Sequence, residues 1–104
     1  MTAKSQNHET QKSVTQWAEE TFGPARDHTV LVTRAMTEMQ ELLEAVADGN
    51  TPEIGKEAAD VTMLLWRLME LNGLDLQTEV TKKMQTNRAR NWAAKGDGTG
   101  KHIP

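Results

Sequence analysis

The sequence predicts an all-α protein, a four-helix bundle completed by dimerisation. Three observations lead there. Apolar residues recur at helical spacing in four blocks, capping or breaking residues bound the blocks, and no stretch alternates as a strand does. The third block adds the dimer, because it carries more apolar faces than one neighbour in a chain of 104 residues can cover.

The elements follow in order. Residues 1–12 are polar, lack a period and read as a flexible segment. Val14, Trp17, Ala18 and Phe22 have helical spacing and stop at Gly23-Pro24, which marks a first helix. A second starts from a cap between Asp27 and Thr29 and runs through Leu31, Ala35, Met36, Met39, Leu42, Leu43 and Val46 to Asp48-Gly49-Asn50. Thr51-Pro52-Glu53 then reads as cap, first-position proline and first-turn acid of a third helix, which ends near Asn72-Gly73. This helix bears Val61, Met63, Leu64, Leu65, Trp66, Leu68, Met69 and Leu71, and the excess apolar surface calls for a second subunit. Asp75 caps a fourth helix using Leu76, Val80 and Met84 and reaching Trp92, so the helical domain spans 13–93. Residues 94–104 form a glycine-rich tail or lid.

Composition narrows the function. With 12 basic and 15 acidic side chains the net charge is −3, so no overall field gathers a nucleic-acid polymer or an anionic membrane. There is no cysteine, hence no disulfide, thiolate ligand or cysteine nucleophile. The opening residues have no apolar signal core, and the apolar run from Val61 to Leu71 is too short to span a bilayer and contains Arg67 and Glu70. These features predict a cytoplasmic protein with no membrane partner.

The chemistry lies in the acids. Glu38 and Glu41 are three apart on the second helix, and Glu57 and Asp60 are three apart on the third, so each pair projects from one face. Antiparallel packing brings the four carboxylates together, beside apolar neighbours such as Met39, Leu42, Val61 and Leu64. Like charges gathered there stay ionised chiefly when a cation compensates them, and an all-oxygen set suits Mg²⁺ or Mn²⁺ better than zinc. Acids three apart are common on solvated helix faces; two such pairs on successive helices are less ordinary. Glu44 continues the spacing, so periodicity leaves Glu41 with Glu44 as a rival register. From Lys82 onward there are six basic residues and one acid, Asp97, whereas Glu38 to Asp60 holds seven acids and one base, Lys56. This separation suits a metal-chelated polyphosphate, although a basic final helix turn is also what the helix dipole favours.

The order Glu38-x-x-Glu41, Glu57-x-x-Asp60, Lys83-Met84-x-x-Asn87-Arg88-x-Arg90 resembles the MazG-type all-α nucleoside triphosphate pyrophosphohydrolases over roughly residues 14 to 92. The resemblance selects the Glu38–Glu41 register and leaves Glu44 as a flanking acid. It implies a MazG-like bundle in which Glu38, Glu41, Glu57 and Asp60 hold Mg²⁺, with Mn²⁺ as a substitute, and in which Glu38 and Glu41 serve catalysis. It implies Lys83, Arg88 and Arg90 on the phosphates and Asn87 on the sugar or a phosphate. The reaction implied is hydrolysis of a (d)NTP to (d)NMP and pyrophosphate by a homodimer or dimer of dimers. The chain carries one copy of the motif where the full-length housekeeping enzymes carry two, so it resembles the compact single-domain branch. That branch includes the phage MazZ type acting on dGTP, which brings in dGTP or GTP as substrate and a host cytoplasm as location.

Trp17 and Phe22 are candidates for stacking on the base, against the alternative that aromatics at helical spacing form core. Gly96-Asp97-Gly98-Thr99-Gly100-Lys101 fails the spacing of a phosphate loop and follows a helix, not a strand. A di-iron bundle requires Glu-x-x-His pairs, and His8, His28 and His102 lie outside both acidic helices. The competing functions are a non-enzymatic dimeric interaction module and a phosphohydrolase of another polyphosphate.

Overall fold

Short-range chemistry sets the helix ends. Thr10 accepts from the Ser13 N–H while the Ser13 hydroxyl takes the Thr10 N–H, a capping box that starts α1 at Gln11 and carries it to Phe22. α2 covers Thr29–Ala47, with Asp27 accepting from the Thr29 N–H just ahead of it. Asn50 caps α3, Thr51–Leu71, by accepting from the Glu53 N–H, and Asp75 caps α4, Leu76–Ala89, by accepting from the Thr78 N–H. The tight α2–α3 turn is possible because Gly49 takes φ +66°. The computed structural model describes residues 8–104.

Three expectations about element limits are corrected. Gln11 and Lys12 belong to α1 and not to a flexible segment, because Thr10 caps the helix ahead of its apolar period; residues 1–7 of that segment lie outside the described residues. The α3 cap is Asn50, one residue before Thr51. Trp92 is not helical: α4 stops at Ala89, and β1, Asn91–Ala94, pairs antiparallel with β2, Gly100–Ile103, in the register Trp92↔His102. The chain reverses there because Gly96 and Gly98 adopt φ of +92° and +93° and Asp97 accepts from the Thr99 N–H. Most of the expected tail is therefore a two-stranded hairpin.

α3 is the central helix, packed by α2 along one side and α1 along another. The α2 side is thin and made of small residues: Leu31, Ala35 and Ala45 of α2 are buried, as is Val61 of α3. Val14 and Ala18 contribute from α1, and among the described residues no large side chain is fully buried. Two buried polar clasps add to the α1–α3 contact. Arg67 donates to Glu19 at 2.8 Å and to the Gly23 carbonyl at 2.9 Å, and Gln11 reaches Glu70 and the α3–α4 turn.

The sequence placed the excess apolar surface on α3; the structure places it on α2. Leu31, Ala35, Glu38, Leu42 and Ala45 form a stripe spaced by four and three that faces α3. The adjoining stripe, Val32, Met36, Met39, Leu43 and Val46, has the same spacing and faces outward, with Met36 68% and Leu43 61% exposed. Of the large apolar residues of α3 only Leu65 is exposed, the rest being buried or half-buried between two neighbours, whereas α2 has one. No helix among the described residues is long and apolar enough to cross a membrane.

Candidate active site

Glu38 occupies a position in the α3-facing stripe of α2 where Ala35 and Leu42 show that an apolar residue would pack. It is 7% exposed, and its nearest positive partner, Arg34, lies one turn earlier at 3.1 Å with its own side chain largely in solvent. Burying a carboxylate at a core position is unfavourable unless something else holds it there. One turn on, Glu41 points toward the same edge, and Glu57 meets both from α3. Carboxylate oxygens of Glu38, Glu41 and Glu57 lie within 4.8 Å of one another.

Glu57 has the most perturbed environment. One of its oxygens, Oε1, is buried with no hydrogen-bond partner. Loss of solvent is the first cause that pushes its carboxyl up to about 7, followed by the Glu41 charge, a proton shared with Glu38, and the charges of Glu38 and Asp60. Every neighbouring charge acting on it is negative. An orphaned buried carboxylate oxygen, within reach of two other carboxylates and paired with no base of its own, fits a hard divalent cation. Asp60 stands one turn beyond Glu57 on α3, outside the set within 4.8 Å, and acts on it through its charge.

Glu44, left by the motif as a flanking acid, lines a polar cleft of about 190 Å³ with Glu41, Asp48, Asn50, Glu53 and Glu57. The α2–α3 turn thus extends the acidic surface beyond the two motif pairs, which their spacing did not foretell. At about 190 Å³ this cleft is smaller than the roughly 300 Å³ at which small-molecule pockets begin, so it suits cations and phosphate oxygens but not a whole nucleotide.

The predicted substrate residues are elsewhere. Lys83, Asn87 and Arg88 lie on α4, which buries no residue, and Arg90 ends it. Among the described residues, Lys83, Arg88 and Arg90 form no ion pair. The Asn87 carbonyl accepts from the Trp92 indole at 2.7 Å, tying the hairpin to the end of α4. Trp17 and Phe22 form an edge-to-face pair with centroids 5.3 Å apart, largely solvent-exposed at 56% and 68%. α1, which carries them, meets α3 through Arg67 and Glu70, downstream of the carboxylates.

The description dATP/dGTP pyrophosphohydrolase belongs to a family model that matches residues 10–103, nearly the whole described chain. The chain belongs to this dATP/dGTP pyrophosphohydrolase family. The MazG-like resemblance read from the acidic and basic motifs is thereby borne out. Two relatives named dATP/dGTP diphosphohydrolase are similar to it. One, from Salmonella phage PMBT28, is 34% identical over 93 residues, 89% of this chain and 30% of the relative. The other, from Cyanophage S-2L, is 35% identical over 66 residues, 64% of this chain and 62% of the relative. The chain thus spans under a third and under two thirds of these relatives' lengths. Among solved structures, the Cyanophage S-2L MazG-like pyrophosphohydrolase bound to dGDP and three catalytic Mn²⁺ ions per active site superposes with a TM-score of 0.72 at 29% identity, covering 90% of this chain and 89% of that one.

Proposed function

We propose that this family member hydrolyses purine deoxynucleoside triphosphates, dGTP and dATP, to the monophosphate and pyrophosphate with Mg²⁺ or Mn²⁺. The observation that carries the reading is the carboxylate cluster of Glu38, Glu41 and Glu57, whose one basic partner is the largely solvent-exposed Arg34 on Glu38, in a family of dATP/dGTP pyrophosphohydrolases. A structural neighbour bound to dGDP and three catalytic Mn²⁺ ions supports both the metal and the purine.

Glu38, Glu41, Glu57 and Asp60 would hold the metal, which when bound supplies charge compensation for phosphate oxygens and a water of lowered pKa. Glu38 and Glu41 would orient such a water, and one of the two would take its proton. Lys83, Arg88 and Arg90 neutralise triphosphate charge left over from the metal, Asn87 contacts the sugar or a phosphate, and the Trp17–Phe22 pair offers an aromatic surface to the base. The acidic cleft is too small for the whole nucleotide, which supports this division of labour.

We assign the outward stripe of α2 to a second copy of the chain. Its spacing by four and three from Val32 to Val46 is that of a helix-pairing seam, and it carries no charge. A homodimer, alone or paired into a dimer of dimers, removes this surface from water.

The test is incubation with each NTP and dNTP, with Mg²⁺ and with EDTA, and separation of products by ion exchange. dGMP or dAMP with pyrophosphate, lost under EDTA, is expected. Orthophosphate as the first product, or no turnover of any nucleotide, refutes the reading.

A further inference from the structure

α4 carries the basic segment yet has no core of its own. None of its residues is buried, and Val80 and Met84, which would anchor it if it packed on the bundle, stand exposed. Its direction relative to the acidic helices must come from contacts at its ends. At the far end the hairpin offers no external anchor, since every residue of both strands is exposed.

The near end is held by one buried side chain. Gln11, 8% exposed at the start of α1, donates from Nε2 to Glu70 Oε1 at 2.9 Å and to the Leu74 carbonyl at 2.7 Å. Its Oε1 accepts the Leu76 N–H at 2.9 Å. Leu76 is the first residue of α4, and its N–H has no partner within the helix. A single carboxamide therefore joins α1, the last turn of α3, the α3–α4 connection and the origin of α4. Neither oxygen nor nitrogen could be exchanged without placing like groups together, so the three bonds fix its orientation.

We propose that Gln11 is a positioning residue for the nucleotide, setting the angle at which α4 presents Lys83, Asn87 and Arg88. This rests on the proposed role of those three residues. Leverage makes the effect large: at 1.5 Å per residue Arg88 lies about 18 Å from Leu76, so a tilt of about 5° at the origin moves it by about 1.6 Å. Misplacement on that scale is enough to cost a contact its value. Because Gln11 lies on α1 and touches none of Glu38, Glu41, Glu57 and Asp60, the loss falls on substrate affinity and leaves metal binding alone.

The experiment compares the unaltered chain with Q11A, the exchange Q11E/E70Q, V14A and R88A, below their melting temperatures. Q11A is expected to raise KM for dGTP about tenfold with kcat within about twofold, the signature of lost binding without lost chemistry. Mn²⁺ affinity stays unchanged, and hydrogen exchange accelerates over α4 but not α2. Q11E/E70Q keeps the acceptor for Leu76 and an amide–carboxylate bond between positions 11 and 70 but sets a carboxylate oxygen against the Leu74 carbonyl, so it recovers only part of the KM. V14A destabilises the same helix through its buried face and leaves KM in place. If V14A and Q11A raise KM alike, or Q11A loses stability with KM intact, the positioning role is overturned. If R88A leaves KM unchanged, it is the assignment of α4 to the substrate that fails.

Discussion

The proton at Glu57 gives the sharpest test of the metal site. Its carboxyl is held at about 7 by lost solvent and by Glu41, Glu38 and Asp60, so a cation must displace a proton to bind there below that pH. A group of pKa about 7 is roughly nine-tenths protonated at pH 6 and one-tenth at pH 8, which makes the apparent dissociation constant for Mn²⁺ about tenfold weaker at pH 6. Titration of Mn²⁺ followed by the electron paramagnetic resonance of the free ion measures this directly. E57Q should bind more weakly at both values and lose most of the pH dependence. The linked effect on stability has a defined sign. The folded-state pKa lies above the ordinary 4.5, so the folded chain binds more protons than the unfolded one between about 4.5 and 7. This group's contribution therefore falls as pH rises through that window and is flat above it. Metal-free protein should lose more melting temperature from pH 5 to pH 8 than E57Q does, and Mn²⁺ should raise it more at pH 8 than at pH 5. Equal Mn²⁺ affinity at pH 6 and pH 8 in the unaltered chain refutes the assignment of Glu57 as a ligand with a retained proton.

Other perturbations separate chemistry from packing. E41Q and D60N should each lower turnover by at least about 100-fold, beyond the 10- to 100-fold typical of groups one layer out from a metal, with unchanged helical circular dichroism. R67M leaves the Glu19 carboxylate and the Gly23 carbonyl without their donor; as Glu19 is 29% exposed, the cost should be about 2–4 kcal/mol, read as a fall of on the order of 10 °C in thermal melting. M39D/L43D places two charges in the outward seam of α2 and should convert a dimer to monomer in analytical ultracentrifugation, whereas V80D on α4 should not; an unaltered sedimentation coefficient for M39D/L43D removes α2 from the interface.

Helix limits were legible because they depend on residues within a turn of one another. Gly23-Pro24, Gly49 and Asp75 act locally, and the structure keeps each where it was read. The cap of α3 moved only from Thr51 to Asn50. The hairpin escaped notice because its strands have four residues each and expose both faces, so no alternation exists to find. The Asp97-Gly98 step between Trp92 and His102 was the available signal.

By itself the sequence determined that the chain is helical, that two acidic pairs lie on successive helices, and that their company places it in the MazG-like group. These are properties of spacing, which periodicity transmits without reference to any other part of the chain. Only the tertiary structure decided that Glu38 and Glu41 meet Glu57 while Asp60 stands one turn aside, and that α2, not α3, carries the uncovered apolar seam. Only it showed that α4 buries nothing and that Gln11 bonds its first residue. The reason is the same in each case: which face of a helix is buried, and which carboxylate loses its water, depend on neighbours distant in sequence, and no local pattern encodes their number or their angle.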